Sequence, residues 1–175
     1  MENADKKYGL HELDKFPTTV MIWVGLTKFW PTSVVRIPET LDSQKYIGTI
    51  LPIAKRDGNS LFGSRDWIFQ QDGATSHTSN VSQNWCKNNL KFFLNKTHWP
   101  ANSPDLNPLD YYFWDAVVKK IKINFKKKCS KDEFYEKIKS AVGSVCGTHI
   151  KNAVSCFSQR VRKVENAAGK KANLK

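Results

Sequence analysis

Residues 66–72 read DWIFQQD, a short apolar run that ends on a carboxylate and meets Gly73 at once. Aromatic and β-branched residues bounded in this way predict a buried strand. Open α/β sheets place their sites at the carboxyl ends of strands, so Asp72 is set to face solvent and a cation while its strand stays buried. Upstream, RDGNS (56–60) reads as a polar loop feeding this strand. Before that loop, Tyr46, Ile47, Ile50, Leu51 and Ile53 recur at helical spacing as far as Lys55, behind an Asp42-Ser43 cap signal. Two strands precede that helix: TTVMIWVGL (18–26) and, after the break at Pro31 and Thr32, SVVRI (33–37).

Downstream, His77 to Leu90 predicts a helix with Val81, Trp85 and Leu90 on one side, and Phe92 to Leu94 a short strand. Pro100, Pro104 and Pro108 then stiffen a loop. Asn107 before Pro108 is the pattern of a cap followed by proline at the first helical position. The helix that follows carries Leu109, Phe113, Val117 and Ile121, one buried stripe. Two more helices are expected around Lys131–Val142 and His149–Glu165. Strands alternating with helices, then helices alone, make an α/β domain with a helical C-terminal flank.

The bulk numbers fit a single folded unit. The chain has 175 residues, 40% hydrophobic content and six tryptophans, enough for a real core. No apolar run approaches the roughly 20 residues of a membrane helix, and no signal-type apolar segment opens the chain, so an intracellular protein without a membrane partner is expected. Cys86, Cys129, Cys146 and Cys156 lack zinc-ligand spacing and read as reduced thiols. The net charge of +12 favours polyanionic partners. The excess gathers in KKIKINFKKK (119–128), with Lys119, Lys120, Lys122, Lys126, Lys127 and Lys128, and in residues 159–175. DNA contact or nuclear import is one reading of these stretches; a solvated helix face and a frayed tail is the other.

The chemistry rests on two acids. Asp110 lies in the first turn of its helix, where the macrodipole favours an anion. Thirty-seven residues separate it from Asp72, room for a helix, a strand and a loop to bring the chain back alongside. Converging carboxylates form a hard oxygen site for Mg²⁺ or Mn²⁺, ions that activate water and stabilise a leaving oxygen in phosphodiester cleavage. Taken singly, each acid has a plainer reading: a turn former after a strand and a favourable first-turn charge.

Two longer stretches decide between these readings. FQQDGATSHTS (69–79) and HWPANSPDLNPLDYYFWDAVVKKI (98–121) closely resemble the catalytic core of Tc1/mariner transposases. VMIWVGLT (20–27), SVVRI, DSQKYIGTILPI (42–53) and FSQRVRKVENAAGKK (157–171) resemble the family's flanking elements, so the likeness runs from about Thr18 to Lys171. It implies an RNase H-like mixed sheet flanked by helices, DNA cleavage and joining with Mg²⁺ or Mn²⁺, DNA as partner, a homodimer and a nuclear location. Asp72 matches the second metal-binding acid of the family's triad. Asp110 matches the third, in its mariner-like form as Asp. His77 matches the histidine of the first motif, to position the loop or approach a phosphate, or else it is simply a residue at the start of a helix. Ser103, Pro104, Asp105, Asn107 and Pro108 match a loop that aims Asp110. Trp99, just before that loop, stands near the site.

The resemblance has one gap. The family's first catalytic Asp sits on a central strand well upstream of the VMIW segment. Asp5 and Asp14 lie in polar sequence that does not fit such a strand. The expectation is therefore a domain lacking its first central strand, N-terminally truncated and impaired or inactive. Its divisions are a polar segment (1–17), a partial RNase H-like core (18–128) and a basic helical flank (129–175). The alternative is a catalytically dead, basic DNA-binding or interaction protein of the same ancestry. RNA or hybrid cleavage rests on fold analogy alone.

Overall fold

The computed structural model describes residues 18–121 and 129–167. The first apolar run does not pair along its whole length. Strand β1 (Met21–Trp23) lies antiparallel to β2 (Val35–Ile37), with Met21 opposite Ile37 and Trp23 opposite Val35. Beyond β1 the chain stays extended to a second bridge, Leu26 opposite Pro31, where Thr32 N–H donates to Gly25 O at 2.9 Å. Between these two pairings the returning strand holds one more residue than the outgoing one, a bulge. The N–H of Ser33, inside the bulge, has no rung to join and donates to Asp57 Oδ2 at 2.8 Å.

Asp57 explains the first correction to the sequence reading. RDGNS is not a loop but part of the C-terminal half of helix α1, which runs through Ser43–Lys45, a π-turn at Tyr46–Ile50 and Leu51–Phe62. Asp42 Oδ1 caps its start by accepting from Lys45 N–H at 2.8 Å, as its cap signal predicts. Asp57 and Gly58 look like helix breakers, yet both are buried. Asp57 serves the bulge and is bound by Arg56, whose Nε donates to Oδ1 at 2.8 Å. Gly58 lies against the indole of Trp67, where a Cβ would come within 2.5 Å of the ring.

Residues 66–72 form an extended segment with a single parallel bridge, Phe69 opposite Phe93. Phe69 N–H donates to Phe92 O at 3.0 Å and Leu94 N–H to Phe69 O at 2.9 Å. Among the described residues this pair is not hydrogen-bonded to the β1–β2 sheet. The helix expected over 77–90 is two helices, α2 (Thr75–Thr78) and α3 (Asn80–Asn89). Ser79 breaks the run because its hydroxyl caps α3, accepting from Ser82 N–H at 3.2 Å. The fully buried residues of α3 are Ser82 and Cys86; of the expected stripe Trp85 and Leu90 pack on the core, while Val81 is exposed.

Helix α4 starts with a π-turn at Leu109–Phe113 and continues through Trp114–Lys120. Phe113 and Val117 are fully enclosed, and Leu109 and Ile121 pack on the same cluster, so its predicted stripe is the buried one. Then come α5 (Lys131–Gly143), opened by a Ser130/Glu133 capping box, α6 (Gly147–Ser155) and α7 (Phe157–Asn166). The last two divide at Cys156 the stretch read as one helix.

Strand alternation explains how the layers are held. Ile22 and Val24 pack with Phe113, Val117, Val142 and Ile150 from the C-terminal helices. Trp23, Val35 and Ile37 pack instead with Tyr46, Ile50, Leu51 and Cys86 from α1 and α3. The β-hairpin is thus covered by helices on both faces. The four cysteines are free thiols.

Candidate functional site

Asp72 ends the 66–72 segment in a turn that fixes one of its oxygens. Oδ1 accepts the Ala74 N–H at 3.0 Å and lies 2.6 Å from His77 Nδ1. Oδ2 has no partner among the described residues. The hydrogen bond with His77, helped by the Ala74 amide and opposed by partial burial, holds the Asp72 carboxyl below its ordinary range. The acid is therefore ionised at neutral pH, with one oxygen held and the other available.

His77 is itself held from three sides. Its ring stacks on Tyr46, with centroids 4.3 Å apart and planes at 29°. Its carbonyl accepts from Gln71 Nε2 and Gln83 Nε2, both at 3.0 Å. Tyr46 O–H donates to Gln71 Oε1 at 2.9 Å, and burial, aided by Cys86 and Asp72, keeps the phenol protonated for that role. Tyr46 and Gln83 were not expected at the site. Tyr46 reads in the sequence as one more apolar helical residue, and only the fold brings its hydroxyl to Gln71. Gln71 had a local signal, its place beside Asp72.

Asp110 is set by the Pro104–Leu106 turn and Asn107. Leu106 is buried at 4% exposure and anchors that turn. Asn107 Oδ1 accepts from Leu109 N–H at 3.1 Å, and Asn107 O takes the N–H of Asp110 at 2.9 Å. This is the cap that the Asn-Pro pair predicts. Burial raises the Asp110 carboxyl above its ordinary range, Asn107 opposes the shift, and the negative charge of Asp72 adds to it. The charge of Asp72 disfavours a second negative charge at Asp110, a repulsion that a cation between them would relieve.

Asp72, His77, Asn107 and Asp110 line one cavity of about 500 Å³. Ser103 is not part of that lining; its hydroxyl donates to Ala101 O at 3.1 Å. Trp99 borders a smaller hollow of about 200 Å³ that also touches Asp72. Asp105 offers its carbonyl to Arg160 at 3.1 Å, and that guanidinium lies 3.9 Å over the Tyr111 ring, so α7 braces the loop before Asp110. Lys119 and Lys120 are exposed at the end of α4, Lys119 paired with Asp115 at 2.6 Å. Lys122, Lys126, Lys127 and Lys128 lie outside the described residues, as do Asp5 and Asp14.

The donor set fits a hard divalent cation in kind: carboxylate oxygens, one of them without a partner, whose charges oppose each other. In number it is short. Among the described residues no three His, Cys, Asp or Glu side chains converge on a metal position.

No protein-family model matches the chain. It is similar in sequence to the transposase of element Tcb1 from Caenorhabditis briggsae, 26% identical over 151 residues, which covers 86% of this chain and 53% of that protein. It is 27% identical over 155 residues to the Tc3 transposase of Caenorhabditis elegans, covering 89% of this chain and 46% of that one. The chain thus spans about half the length of the curated relatives it matches. In fold it is similar to the catalytic domain of Mos1 mariner transposase, with a TM-score of 0.72 at 16% identity over 90% of this chain and 79% of that one. It is also similar to Mos1 in its paired-end complex with Mn, with a TM-score of 0.77 at 17% identity over 94% of this chain and 48% of that one. The chain is thus similar in sequence to Tc1-type transposases, and it carries the RNase H-like α/β fold of the Mos1 mariner catalytic domain.

Proposed function

We propose that this domain belongs to the machinery that cleaves and joins DNA phosphodiesters, and that Asp72 and Asp110 are its metal-holding acids. One observation carries the reading: the two carboxylates meet at one cavity, and the charge of Asp72 raises the proton affinity of Asp110. Mg²⁺ or Mn²⁺ held there supplies Lewis-acid activation of water and of the scissile phosphate. The protein's own part is positional. Asp72 presents Oδ2 while His77 and Ala74 hold Oδ1. Tyr46 stacks on the His77 ring, and Gln71 and Gln83 hold its backbone carbonyl. The Asn107 cap fixes the start of the helix that bears Asp110.

Structures of Mos1 transposase with Mg, with Mn and in strand-transfer and paired-end complexes support divalent metal, DNA and a pairing of two copies as the working context. A nuclear location is proposed with it, as the place where a chromosomal DNA substrate would be met. Two acids offer fewer ligands than a full metal cage, so the 175-residue chain by itself cleaves weakly or not at all. A second reading follows from the net charge of +12: a catalytically inactive protein that holds DNA through its phosphates.

Mn²⁺ titration followed by paramagnetic relaxation, run beside a supercoiled-plasmid nicking assay, separates the two. A metal site lost in both Asp72→Ala and Asp110→Ala, with DNA binding retained, supports the metal reading. Mn²⁺ uptake unchanged by either substitution would leave only the electrostatic one.

A further inference from the structure

The hairpin reverses between β1 and β2 through residues 27–31, and this tip is rigidly built. Thr27 Oγ1 accepts from the N–H groups of Phe29 and Trp30, both at 3.1 Å, and its hydroxyl donates to Trp30 O at 2.8 Å. Pro31, next along, is buried. The two aromatic rings leave the turn on opposite sides. Phe29 packs edge-on against Phe62 of α1 at 5.3 Å, and Phe62 stacks on Trp67 at 6.1 Å. Trp30 turns the other way, its ring seated on Gly147 at the start of α6, where a Cβ would come within 3.2 Å. The indole is nevertheless 45% exposed. Trp67 and Asp72 stand at opposite ends of an extended segment, roughly 16 Å long. The tip is therefore remote from the carboxylates.

Cations flank this indole. The Lys28 ammonium and the Arg65 guanidinium lie over the Phe29 ring at 5.1 and 4.5 Å. Arg65 is brought there by Gly63, which ends α1 at φ +60°, and its Nε donates to Phe62 O at 3.0 Å. Neither cation pairs with an acid among the described residues. Asp66, beside Arg65, gives its two oxygens to Lys91 at 2.6 and 2.9 Å. Asp57 is taken by Ser33 and Arg56. On the Trp30 side, Cys146 directly precedes Gly147. Its thiol is held below the ordinary range by the amides of His149 and Thr148, and the charge of Lys120 adds to this, so Lys120 stands on that flank. The tip thus suits an occupant with a flat apolar group between two negative charges. One indole is too little apolar surface for the centre of a protein interface, yet it matches one base.

We infer that the tip is a stacking platform for single-stranded DNA: an unpaired base lies on Trp30, and the phosphates on its two sides go to Lys28 and Arg65 and to Lys120. A duplex does not offer such a base, because its faces are already spent on their neighbours. Naming the strand as DNA rests on the proposed function. The stacking geometry stands apart from the metal and from both carboxylates.

The test reads fluorescence anisotropy of labelled oligothymidylate with the full chain in EDTA, beside an oligomer of equal length made of abasic sites. The second probe keeps the phosphates and removes the bases. Trp30→Ala should weaken oligothymidylate binding about tenfold and leave the abasic oligomer unchanged. Trp30→Phe, which keeps an aromatic face, should restore most of the loss. Lys28→Gln and Arg65→Gln should weaken both probes, each making the slope of log K against log salt shallower by about 0.7. Equal oligothymidylate binding by wild type and Trp30→Ala overturns the proposal, as does a loss of the same size on the abasic oligomer. An oligoglutamate of equal charge that loses as much affinity with Trp30→Ala makes the partner an acidic polypeptide and overturns it too. Every variant leaves Asp72 and Asp110 in place, so failure here leaves the metal reading standing.

Discussion

Asp57 shows what a single buried acid does in this fold. It reaches from α1 to the bulge and takes the Ser33 N–H that the hairpin cannot use, while Arg56 neutralises it. Burial pushes its carboxyl up, but the Ser33 and Arg56 contacts outweigh that and hold it below the ordinary range. A depressed carboxylate stabilises the fold above its unfolded pKa, near 3.9, and loses that contribution as pH falls through the lower folded value. Asp57→Ala should therefore cost about 1.5–3 kcal/mol at neutral pH, because it removes the Ser33 hydrogen bond to a charged carboxylate. The gap to wild type should close as the solution is taken well below pH ~4. Urea unfolding at a series of pH values checks both parts, and a constant gap across the acid range would rule out the charge as the cause.

At the scale of elements, helix α1 contains a matched pair of glycines. Gly48 lies on the exposed side of the π-turn with open space around its Cα, whereas Gly58 is pressed against Trp67. Gly48→Ala should stabilise by up to ~1 kcal/mol through helix propensity. Gly58→Ala gains the same propensity but forces a methyl into the indole, an overpacking worth about 1–3 kcal/mol, so it should be net destabilising. Thermal unfolding of the two variants reads the signs directly; a rise in Tm for Gly58→Ala would mean that Trp67 moves aside freely. The same pair shows why RDGNS was misread from sequence. Locally it has the composition of a loop. What makes it helical is Ser33, 24 residues away, and Trp67, nine residues on. The Asn107–Pro108 cap and the stripe on α4 were legible because their signals lie within a turn or two of the residues they govern. Asp72, His77 and Asp110 were legible as motif positions, while the support given by Tyr46 and Gln83 depended on packing that no local pattern encodes.

For the whole molecule the strongest statement is electrostatic. A protein carrying +12 should bind duplex DNA of any sequence, with affinity falling as salt rises. Each phosphate it neutralises contributes about −0.9 to the slope of log K against log salt. Lys119 and Lys120 end α4, the helix that bears Asp110, and the two differ: Lys119 is already paired with Asp115, and Lys120 pairs with no acid among the described residues. If this end of the helix meets the backbone, Lys120→Gln should make the slope shallower by about one. Lys119→Gln should do less, because DNA must first draw that lysine from Asp115. Asp72→Asn should leave the slope nearly unchanged, since one acid at the cavity mouth is not a phosphate contact. Fluorescence anisotropy with a random-sequence duplex across a salt series measures all three. Equal slopes for wild type and Lys120→Gln would assign these lysines to a solvated face and move the DNA contact elsewhere, with the exposed Arg162 of α7 the next side chain to replace.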